Sequence, residues 1–213
     1  MSDSRIVLSG EFAARYRVER QIGSGATALV YLARDAQRDG LVALKVLRPE
    51  LAASLGADRF LREIQMHQRL LHPRILPVID SGESGGQLYF ALPYAEGGAL
   101  RDRLIREKQL PLKDAIRIAQ AIAQALEYSH ANGLVHRDVK PENILFTGGE
   151  TCLGDFGIAR ALEQALEQST TSTGLVRGTP AYMSPEQASG QTDLDGRSDI
   201  FSLGCVLFET IAG

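Results

Sequence analysis

The sequence has little of what marks secreted, zinc-bound or membrane-spanning proteins. It contains two cysteines, Cys152 and Cys205, and neither lies in a CxxC pair or a histidine-rich segment. A disulfide or a zinc site is therefore not expected, and a reducing compartment fits best. The opening residues lack the continuous apolar stretch of a secretion signal, and no apolar run is long enough to cross a bilayer. These absences predict a cytoplasmic domain with no membrane span within this chain.

A strong excess of charge of one sign is also absent. The formal net charge of -3 and the isoelectric point near 5.8 give no reason to expect nucleic acid or an anionic membrane surface as a partner. Only four of the 23 lysine and arginine residues are lysines, and two of them, Lys45 and Lys140, lie in motifs described below. With 213 residues, 44% of them hydrophobic, the chain can build one large domain or two small lobes.

The first part of the chain has the apolar patterns of β-strands. Runs of alternating or continuous apolar residues, separated by turn signals such as RDG at 38–40, predict strands over 16–22, 28–34, 41–47, 75–80 and 87–92. An amphipathic helix is predicted over 58–71 and ends at the proline that follows. Gly97 and Gly98 mark the boundary between two lobes.

The rest of the chain has helical periodicity. A helix is predicted over 114–131, two short strands over 143–153 around a Gly-Gly turn, and a polar loop over 161–182. The segment 198–212 is apolar on nearly every side, which predicts a helix covered by protein all round. In the helix predicted over 114–131, apolar residues recur every four positions, at Ile118, Ile122 and Leu126.

The most informative motifs are HRDVKPEN at 136–143 and DFG at 155–157. Phosphoryl transfer needs an acidic group near the acceptor hydroxyl, a cation near the γ-phosphate and oxygen ligands for Mg²⁺. Asp138, Lys140, Asn143 and Asp155 are of those chemical types. Each alone fits an ordinary solvated loop residue, but the octet followed by the triplet is far more specific than either motif by itself.

A glycine-rich segment, IGSGATALV at 22–30, lies between two predicted strands. Glycines let backbone N–H groups approach phosphates closely. On its own the segment also fits an ordinary hairpin turn. A dinucleotide-binding fold would require a helix after the loop, whereas a strand is predicted here, and no GKS or GKT sequence supplies a Walker A loop.

A lysine, Lys45, ends the apolar strand sequence VALK at 42–45. A lysine in an apolar strand must meet an anion or reach solvent. Glu63, on the inward side of the predicted helix, could pair with it, although Glu50 and Glu83 are also near in sequence. A lysine on an edge strand is the alternative interpretation.

Together these motifs resemble the signature set of protein kinases, whose APE motif corresponds to SPE at 184–186. The resemblance is closest to the eukaryotic-type serine/threonine kinases of bacteria. It implies a two-lobed α+β fold, with a small antiparallel β-sheet and one αC helix in the N-lobe and a mainly helical C-lobe. Because kinases continue for several more helices, the C-lobe is expected to be truncated and incomplete. The implied organisation is an N-terminal extension at 1–15 and a kinase domain at 16–213, with its N-lobe at about 16–94 and its partial C-lobe at about 95–213.

The resemblance implies ATP and Mg²⁺ as cofactors, bound in the cleft between the lobes. Lys45 would hold the α- and β-phosphates and pair with Glu63. Other residues would enclose the adenine or offer their backbone to it: Val30 and Ala43 from above, Leu145 from below, Pro93 and Ala95 as the hinge, and Leu92 as gatekeeper. The whole implied nucleotide-binding set is Ile22, Gly23, Ser24, Gly25, Ala26, Thr27, Ala28, Val30, Ala43, Lys45, Glu63, Leu92, Pro93, Ala95, Leu145 and Asp155.

The same resemblance implies the catalytic roles. Asp138 would orient the acceptor hydroxyl and take its proton, and Lys140 would neutralise charge on the transferred phosphoryl group. Asn143 and Asp155 would hold Mg²⁺. Lys140, two residues after Asp138, is typical of kinases that act on serine and threonine. In that family the threonine at the position of Thr179 contacts the catalytic aspartate and lysine. Protein substrates bearing these hydroxyls are the implied partners.

Regulation by phosphorylation is implied as well. Arg137, directly before the catalytic aspartate, marks family members that are switched by phosphorylation of the activation loop. Hydroxyl side chains fill 169–173, and Thr171 and Thr173 are the expected sites, with Arg137 receiving the phosphate and a homodimer allowing autophosphorylation. An unmodified polar linker is the alternative interpretation.

The sequence departs from the family pattern at several positions. Ala28 replaces the third glycine of the loop, and Ser184 replaces the alanine of APE. Without the later helices, Glu186 has no identifiable partner. Asp199 is expected to cap its helix and to anchor the 136–143 loop.

Two other classes of function fit parts of the sequence. A catalytically weak or inactive nucleotide-binding scaffold would follow if the missing helices prevent catalysis, although Lys45, Asp138, Asn143 and Asp155 are intact. A small-molecule phosphotransferase of kinase-like fold is disfavoured by two sequence segments, Gly-Thr-Pro at 178–180 and Ser-Pro-Glu at 184–186. The family often carries a membrane anchor and a sensor domain, and this sequence leaves open an anchor beyond its C-terminal end.

Overall fold

The structure, a computed structural model, describes residues 10–25, 27–156 and 180–213, apart from the side chains of residues 10, 11, 54, 55 and 63. Within these ranges a five-stranded sheet and its helices form a small lobe, and helices with a two-stranded hairpin form a large lobe. The expected two-lobed α+β fold is confirmed. No helix among the described residues is both long and apolar enough to cross a membrane.

Five antiparallel strands form the sheet of the small lobe, in the order β1-β2-β3-β5-β4. The turn between the first two strands contains the glycine-rich segment, and a hydrogen bond from Gly25 N to Ala28 O, 2.9 Å long, closes it. The strands are β1 Tyr16–Ser24, β2 Ala28–Asp35, β3 Gly40–Leu47, β4 Asp80–Ser84 and β5 Gln87–Pro93.

The strand predicted over 75–80 is wrong. Ile75 forms a single parallel bridge to Leu153 of the large lobe, and Leu76 N donates to Leu153 O at 2.9 Å. Pro77 has no N–H and cannot continue a ladder. The apolar run connects the two cores instead, because Ile75 packs in the large-lobe core and Leu76 in the small-lobe core.

Seven helices occur in the described residues: α1 Gly10–Arg15, α2 Pro49–Leu55, α3 Ala57–His67, α4 Leu100–Glu107, α5 Leu112–Ala131, α6 Pro185–Ala188 and α7 Gly196–Ala212. The large-lobe hairpin consists of β6 Ile144–Thr147 and β7 Glu150–Leu153, and two 3₁₀ turns cover Pro141–Asn143 and Pro180–Tyr182. No helix was predicted at α1, α2, α4 or α6, because each is shorter than the window of about 11 residues over which helical periodicity is recognised. The predicted helix over 58–71 ends at His67.

The two faces of the small-lobe sheet belong to different cores. Antiparallel register places Val30, Lys45 and Phe90 side by side, so their side chains share one face. The apolar side chains of this inner face pack against α3, where Phe60 and Ile64 are buried. Lys45 therefore lies beside the buried part of this face, whose other end, at Arg34 and Leu41, is exposed.

The outer face of the sheet is covered by its own apolar cluster, to which α1 contributes. Phe12 packs against the rings of Tyr16 and Tyr89, with centroids 5.2 and 4.4 Å apart respectively. Arg15 pairs with Asp35 at 3.2 Å and with Asp80 at 3.0 Å. Residues 10–15, part of the expected N-terminal extension, thus pack as a structural part of the small lobe.

The segment that links the lobes is tied to the large-lobe hairpin. Gly97 N donates to Phe146 O at 2.9 Å, and Phe146 N donates to Gly98 O at 3.0 Å. The Glu96 carboxylate accepts hydrogen bonds from the hydroxyl of Thr147, at 3.0 Å, and from the next backbone N–H. A Cβ atom on Gly97 would lie 2.7 Å from the Phe146 backbone, so only glycine fits here.

The large-lobe core lies between α5, α7 and the hairpin. Ile118, Ile122 and Leu126 are buried in it, which confirms the predicted apolar face of α5. One side of α7 packs there as well, through Leu203 and Val206. The described residues leave its other side open, where Ile200, Phe201, Phe208 and Ile211 are exposed, so the predicted cover on all sides is not found among them.

Truncation of Phe12 tests whether α1 stabilises the small lobe. We expect Phe12→Ala to lower the free energy of unfolding by about 3 kcal/mol, because it removes a ring buried between two others. Phe208→Ala is the matched control, since Phe208 is 73% exposed and should change the free energy by less than about 0.5 kcal/mol. Urea unfolding followed by circular dichroism measures both. Equal effects of the two substitutions would show that α1 does not contribute to the core.

Candidate active site

The 136–143 loop is held by one buried carboxylate, that of Asp199 in the first turn of α7. It accepts hydrogen bonds from the backbone N–H groups of His136, at 2.8 Å, and Arg137, at 2.7 Å. The ring of His130 on α5 lies 2.7 Å from the same carboxylate. The expectation that Asp199 anchors this loop is confirmed. The expectation that it caps the helix is wrong, because Asp195 is the N-cap and accepts from Arg197 N at 2.9 Å.

Arg137 has a left-handed backbone, with a φ of 69°. A residue other than glycine adopts this region at a cost, so the surrounding contacts must impose it. Its N–H donates to Asp199, and its carbonyl oxygen accepts from Gln187 Nε2 at 2.8 Å. These two contacts fix the turn that presents the next residue, Asp138.

His136 links this loop to the segment before Asp155. Its Nε2 lies 2.8 Å from the Gly154 carbonyl oxygen, and Asp138 N lies 3.2 Å from its Nδ1. Nδ1 must accept from that backbone N–H, so the network assigns the proton to Nε2, which donates to Gly154. The imidazole also packs edge-on against Phe156, with ring centres 4.5 Å apart.

Asp138, Lys140 and Asn143 form a compact polar cluster. Lys140 Nζ lies 2.7 Å from one Asp138 carboxylate oxygen and 2.9 Å from the other. Asn143 Nδ2 donates to the Asp138 carbonyl at 2.7 Å and to its carboxylate at 3.1 Å. The amide nitrogen of Asn143 is therefore engaged by Asp138, and its Oδ1 is the atom that can serve as a metal ligand.

Asp155 lies next to this cluster and faces the small lobe. Gly154 N donates to the Asn143 carbonyl at 2.8 Å, which sets the segment beside the loop. Asp155 itself has a left-handed φ of 63°. Both of its carboxylate oxygens contact the ammonium group of Lys45 on β3. The structure thus joins Asp138, Lys140, Asn143, Asp155 and Lys45 into one connected group of contacts.

The residues expected to enclose the adenine lie on the strands next to Lys45 and on β6. Ala43 is opposite Leu92 in the sheet, on the same face as Val30 and Lys45. Leu145, on β6, packs against the cluster that contains Leu92, and a Cβ atom on Gly154 would touch it at 3.1 Å. The remaining members of the expected set that the structure describes follow on the neighbouring strands and linker: Ile22, Gly23, Ser24, Gly25, Thr27, Ala28, Pro93 and Ala95.

Comparison with known proteins gives the same assignment. The family model described as protein kinase domain matches residues 16–213. The chain belongs to the protein kinase family. It is 44% identical over 205 residues to the serine/threonine-protein kinase PknB of Mycobacterium leprae, covering 93% of this chain and 32% of that protein. It is 41% identical over 211 residues to PknJ of Mycobacterium tuberculosis, covering 96% of this chain and 35% of that protein.

A solved structure agrees with the fold of this kinase chain. The kinase domain of Mycobacterium tuberculosis PknI superposes with a TM-score of 0.75 at 36% identity, over 93% of this chain and 73% of that one. The chain therefore spans about a third of the length of the curated relatives it matches and about three quarters of a solved kinase domain.

Several expected residues of the kinase lie outside the described residues. These are Ala26, Thr171, Thr173, Thr179 and the side chain of Glu63. The expected pairing of Lys45 with Glu63 therefore stays a prediction, and the pairing that the structure describes is with Asp155.

The expectation that Glu186 lacks a partner is wrong. The hydroxyl of Ser198, at the start of α7, donates a hydrogen bond to its carboxylate. This hydrogen bond holds the pKa of Glu186 below its usual value. This contact could not be predicted from the sequence, because a serine hydroxyl in a helix usually bonds to a nearby backbone group of the same helix.

Sequence analysis also missed Arg48, which follows β3. Its Nε donates to the Gly25 carbonyl at 3.0 Å, and its NH2 group lies 3.2 Å from the Ser24 hydroxyl. Its backbone N–H donates to Thr27 O at 3.0 Å. The glycine-rich turn is therefore held by a basic side chain whose only signal in the sequence is its position after a strand.

Substitution of Asp199 tests whether its carboxylate supports the loop. We expect Asp199→Asn to lower the free energy of unfolding by roughly 3 kcal/mol, because an amide group would face N–H donors inside the protein. Asp195→Asn in the same helix is the control and should have little effect, since asparagine caps a helix as well as aspartate does. Urea unfolding measures both. A stability equal to wild type in Asp199→Asn would contradict the anchoring role.

Proposed function

We propose that this chain is the ATP-dependent catalytic part of a serine/threonine protein kinase. The observation that carries the proposal is the cluster of Asp138, Lys140 and Asn143, joined through Gly154 to Asp155 and so to Lys45. An acid, two cations and two oxygen ligands are thus linked by direct contacts. Those are the groups that transfer of a γ-phosphoryl group to a hydroxyl requires.

The acceptor side of the reaction would be served by Asp138 and Lys140. The acceptor oxygen forms a bond to the γ-phosphorus as the bond from that phosphorus to the β,γ-bridging oxygen breaks and ADP leaves. The acceptor proton passes to the Asp138 carboxylate. Lys140, within 3 Å of that carboxylate, lies where it can offset charge on the phosphoryl oxygens.

The nucleotide side would be served by Lys45, Asn143 and Asp155. Lys45 is the cation for the α- and β-phosphates, and binding would exchange its carboxylate partner for phosphate oxygens. That exchange frees the Asp155 carboxylate, which with Asn143 Oδ1 supplies the hard oxygen ligands that Mg²⁺ prefers. When bound, Mg²⁺ neutralises phosphate charge. Lys140 and the segment Gly-Thr-Pro at 178–180 match the motifs of kinases that act on serine and threonine. This match supports protein hydroxyls as acceptors.

Asp138→Asn should separate transfer from nucleotide binding. We expect kcat for peptide phosphorylation by the 213-residue chain to fall by at least about 100-fold, because the proton acceptor is lost. The Kd for Mg-ATP should stay within about twofold, since Asp138 makes no described contact with Lys45 or Asp155. Transfer from γ-labelled ATP and titration with a fluorescent ATP analogue measure the two quantities.

Two further variants complete this test. Lys45→Met should raise the Kd for Mg-ATP, the quantity that Asp138→Asn leaves unchanged. Asp193→Asn, in an exposed loop, should change neither kcat nor this Kd. Turnover close to wild type in Asp138→Asn would reject the proposed base. Nucleotide binding by the wild-type chain without any transfer would favour a non-catalytic nucleotide-binding module.

Phosphorylation within 169–173 is the proposed switch, with Thr171 or Thr173 as the site and Arg137 as the group that binds the phosphate. We expect Mg-ATP to add phosphate there, and Thr171→Ala/Thr173→Ala to reduce kcat by about tenfold or more. Mass spectrometry and the transfer assay measure the two effects. Full activity of a chain that carries no phosphate in this segment would contradict the switch.

A further inference from the structure

Arg101, on α4, binds three groups that come from three different segments. Its Nε donates to Glu142 Oε1 at 2.8 Å, and its NH1 donates to Glu209 Oε1 at 2.7 Å. Its NH2 donates to the hydroxyl oxygen of Tyr182, and that hydroxyl in turn donates to Glu209 at 2.5 Å. The Arg101 side chain is 25% exposed, so water competes less for these contacts than at an open surface.

Each of the three partners lies on an element that carries or adjoins a residue of the proposed acceptor side. Glu142 lies in the 3₁₀ turn directly before Asn143, four residues after Asp138. Tyr182 lies in the turn that begins directly after Thr179. Glu209 belongs to α7, the helix whose first turn carries the loop anchor Asp199. Arg101 thus connects the 136–143 loop, the turn Pro180–Tyr182 and α7.

Charge explains why these groups stay together. Two carboxylates, Glu142 and Glu209, converge on one cation, so without Arg101 they would repel each other across a partly buried space. Burial acts to lower the pKa of Arg101, but the hydrogen bonds to Glu209, Glu142 and Tyr182 outweigh it and raise that pKa. Burial, followed by the hydrogen bond to Glu209, raises the pKa of Tyr182 to about 12, so its hydroxyl stays a donor.

We propose that Arg101 is a positioning residue for the acceptor side of the active site. It sets the distance between the loop that carries Asp138 and the turn that follows Thr179, and it acts through Glu142, Tyr182 and Glu209 rather than by touching the substrate. This inference rests on the proposed function.

The nucleotide side has separate supports. Arg48 holds the glycine-rich turn, Asn143 and His136 hold Gly154, and Lys45 contacts Asp155. Arg101 bonds none of these groups directly, and Asn143, which follows its partner Glu142, is held by Asp138 and by the Lys140 carbonyl. The loss of Arg101 should therefore change the binding of the acceptor and leave the binding of ATP unchanged, a division that general destabilisation would not produce.

Arg101→Met tests this in the 213-residue chain. With a single-threonine peptide chosen as the best acceptor of the wild type, we expect the peptide KM to rise at least about tenfold, the value for loss of one charged hydrogen bond. The Kd for Mg-ATP and the slow transfer to water should stay within about twofold. Arg106→Met is the matched control, because Arg106 lies on the same helix, is exposed and forms its ion pair with its neighbour Glu107.

Arg101→Lys and hydrogen exchange make the result decisive. Lysine keeps the charge but cannot bridge three partners, so we expect a peptide KM between those of the wild type and Arg101→Met. Without nucleotide, Arg101→Met should speed amide exchange in peptides covering 138–143 and 180–184 and leave 16–35 unchanged. This readout does not depend on activity.

The outcomes divide cleanly. An unchanged peptide KM, a parallel fall in transfer to peptide and to water, or Arg101→Lys equal to wild type would overturn the positioning role. A wild-type chain with no transfer would reject the proposed function instead. Local exchange changes in Arg101→Met would in that case still support the connection, and unchanged or uniformly faster exchange would overturn it.

Discussion

The buried carboxylate of Asp199 is the interaction on which the candidate site depends. Moving a charge out of water is costly, and here three N–H donors offset that cost: two backbone groups of the 136–143 loop and the ring of His130. The same contacts hold Arg137 in a left-handed conformation that it would not adopt unaided. Asp138 follows directly, so its direction is set from α7, an element far from it in sequence.

From Asp199 a continuous path of hydrogen bonds leads into the small lobe. His136 binds both the anchor and Gly154, Asn143 binds Gly154 from the other side, and Asp155 then meets Lys45 on β3. Each member has its own partner, so the path consists of satisfied groups. The ion pair at its end is the contact that a nucleotide would replace, which makes the joint between the lobes the part of the path that ligand binding can change.

Features set by neighbouring residues could be predicted from the sequence, whereas contacts between distant segments could not. The 136–143 motif, the DFG aspartate and the apolar face of α5 were readable because their spacing along the chain is itself the signal. The strand predicted over 75–80 was wrong because the apolar residues there pack into two different cores, and Pro77 has no N–H to pair in a sheet. The contacts of Glu186 with Ser198, of Arg48 with the glycine-rich turn and of Arg101 with its partners join distant segments, so no spacing reveals them. Only the fold shows which polar side chains meet.

Arginine and lysine make different kinds of contact at four positions of this structure. Where elements must be joined permanently, the chain uses arginine: Arg15 binds Asp35 and Asp80, and Arg101 binds three groups, as a planar fork of donors allows. At the proposed reaction centre it uses Lys45 and Lys140, each a compact charge on one carboxylate. A single ammonium contact can be exchanged for a phosphate oxygen without dismantling a fork. At these four positions, arginine makes the contacts that join elements of the fold, and lysine makes the single contacts that a phosphate oxygen could replace.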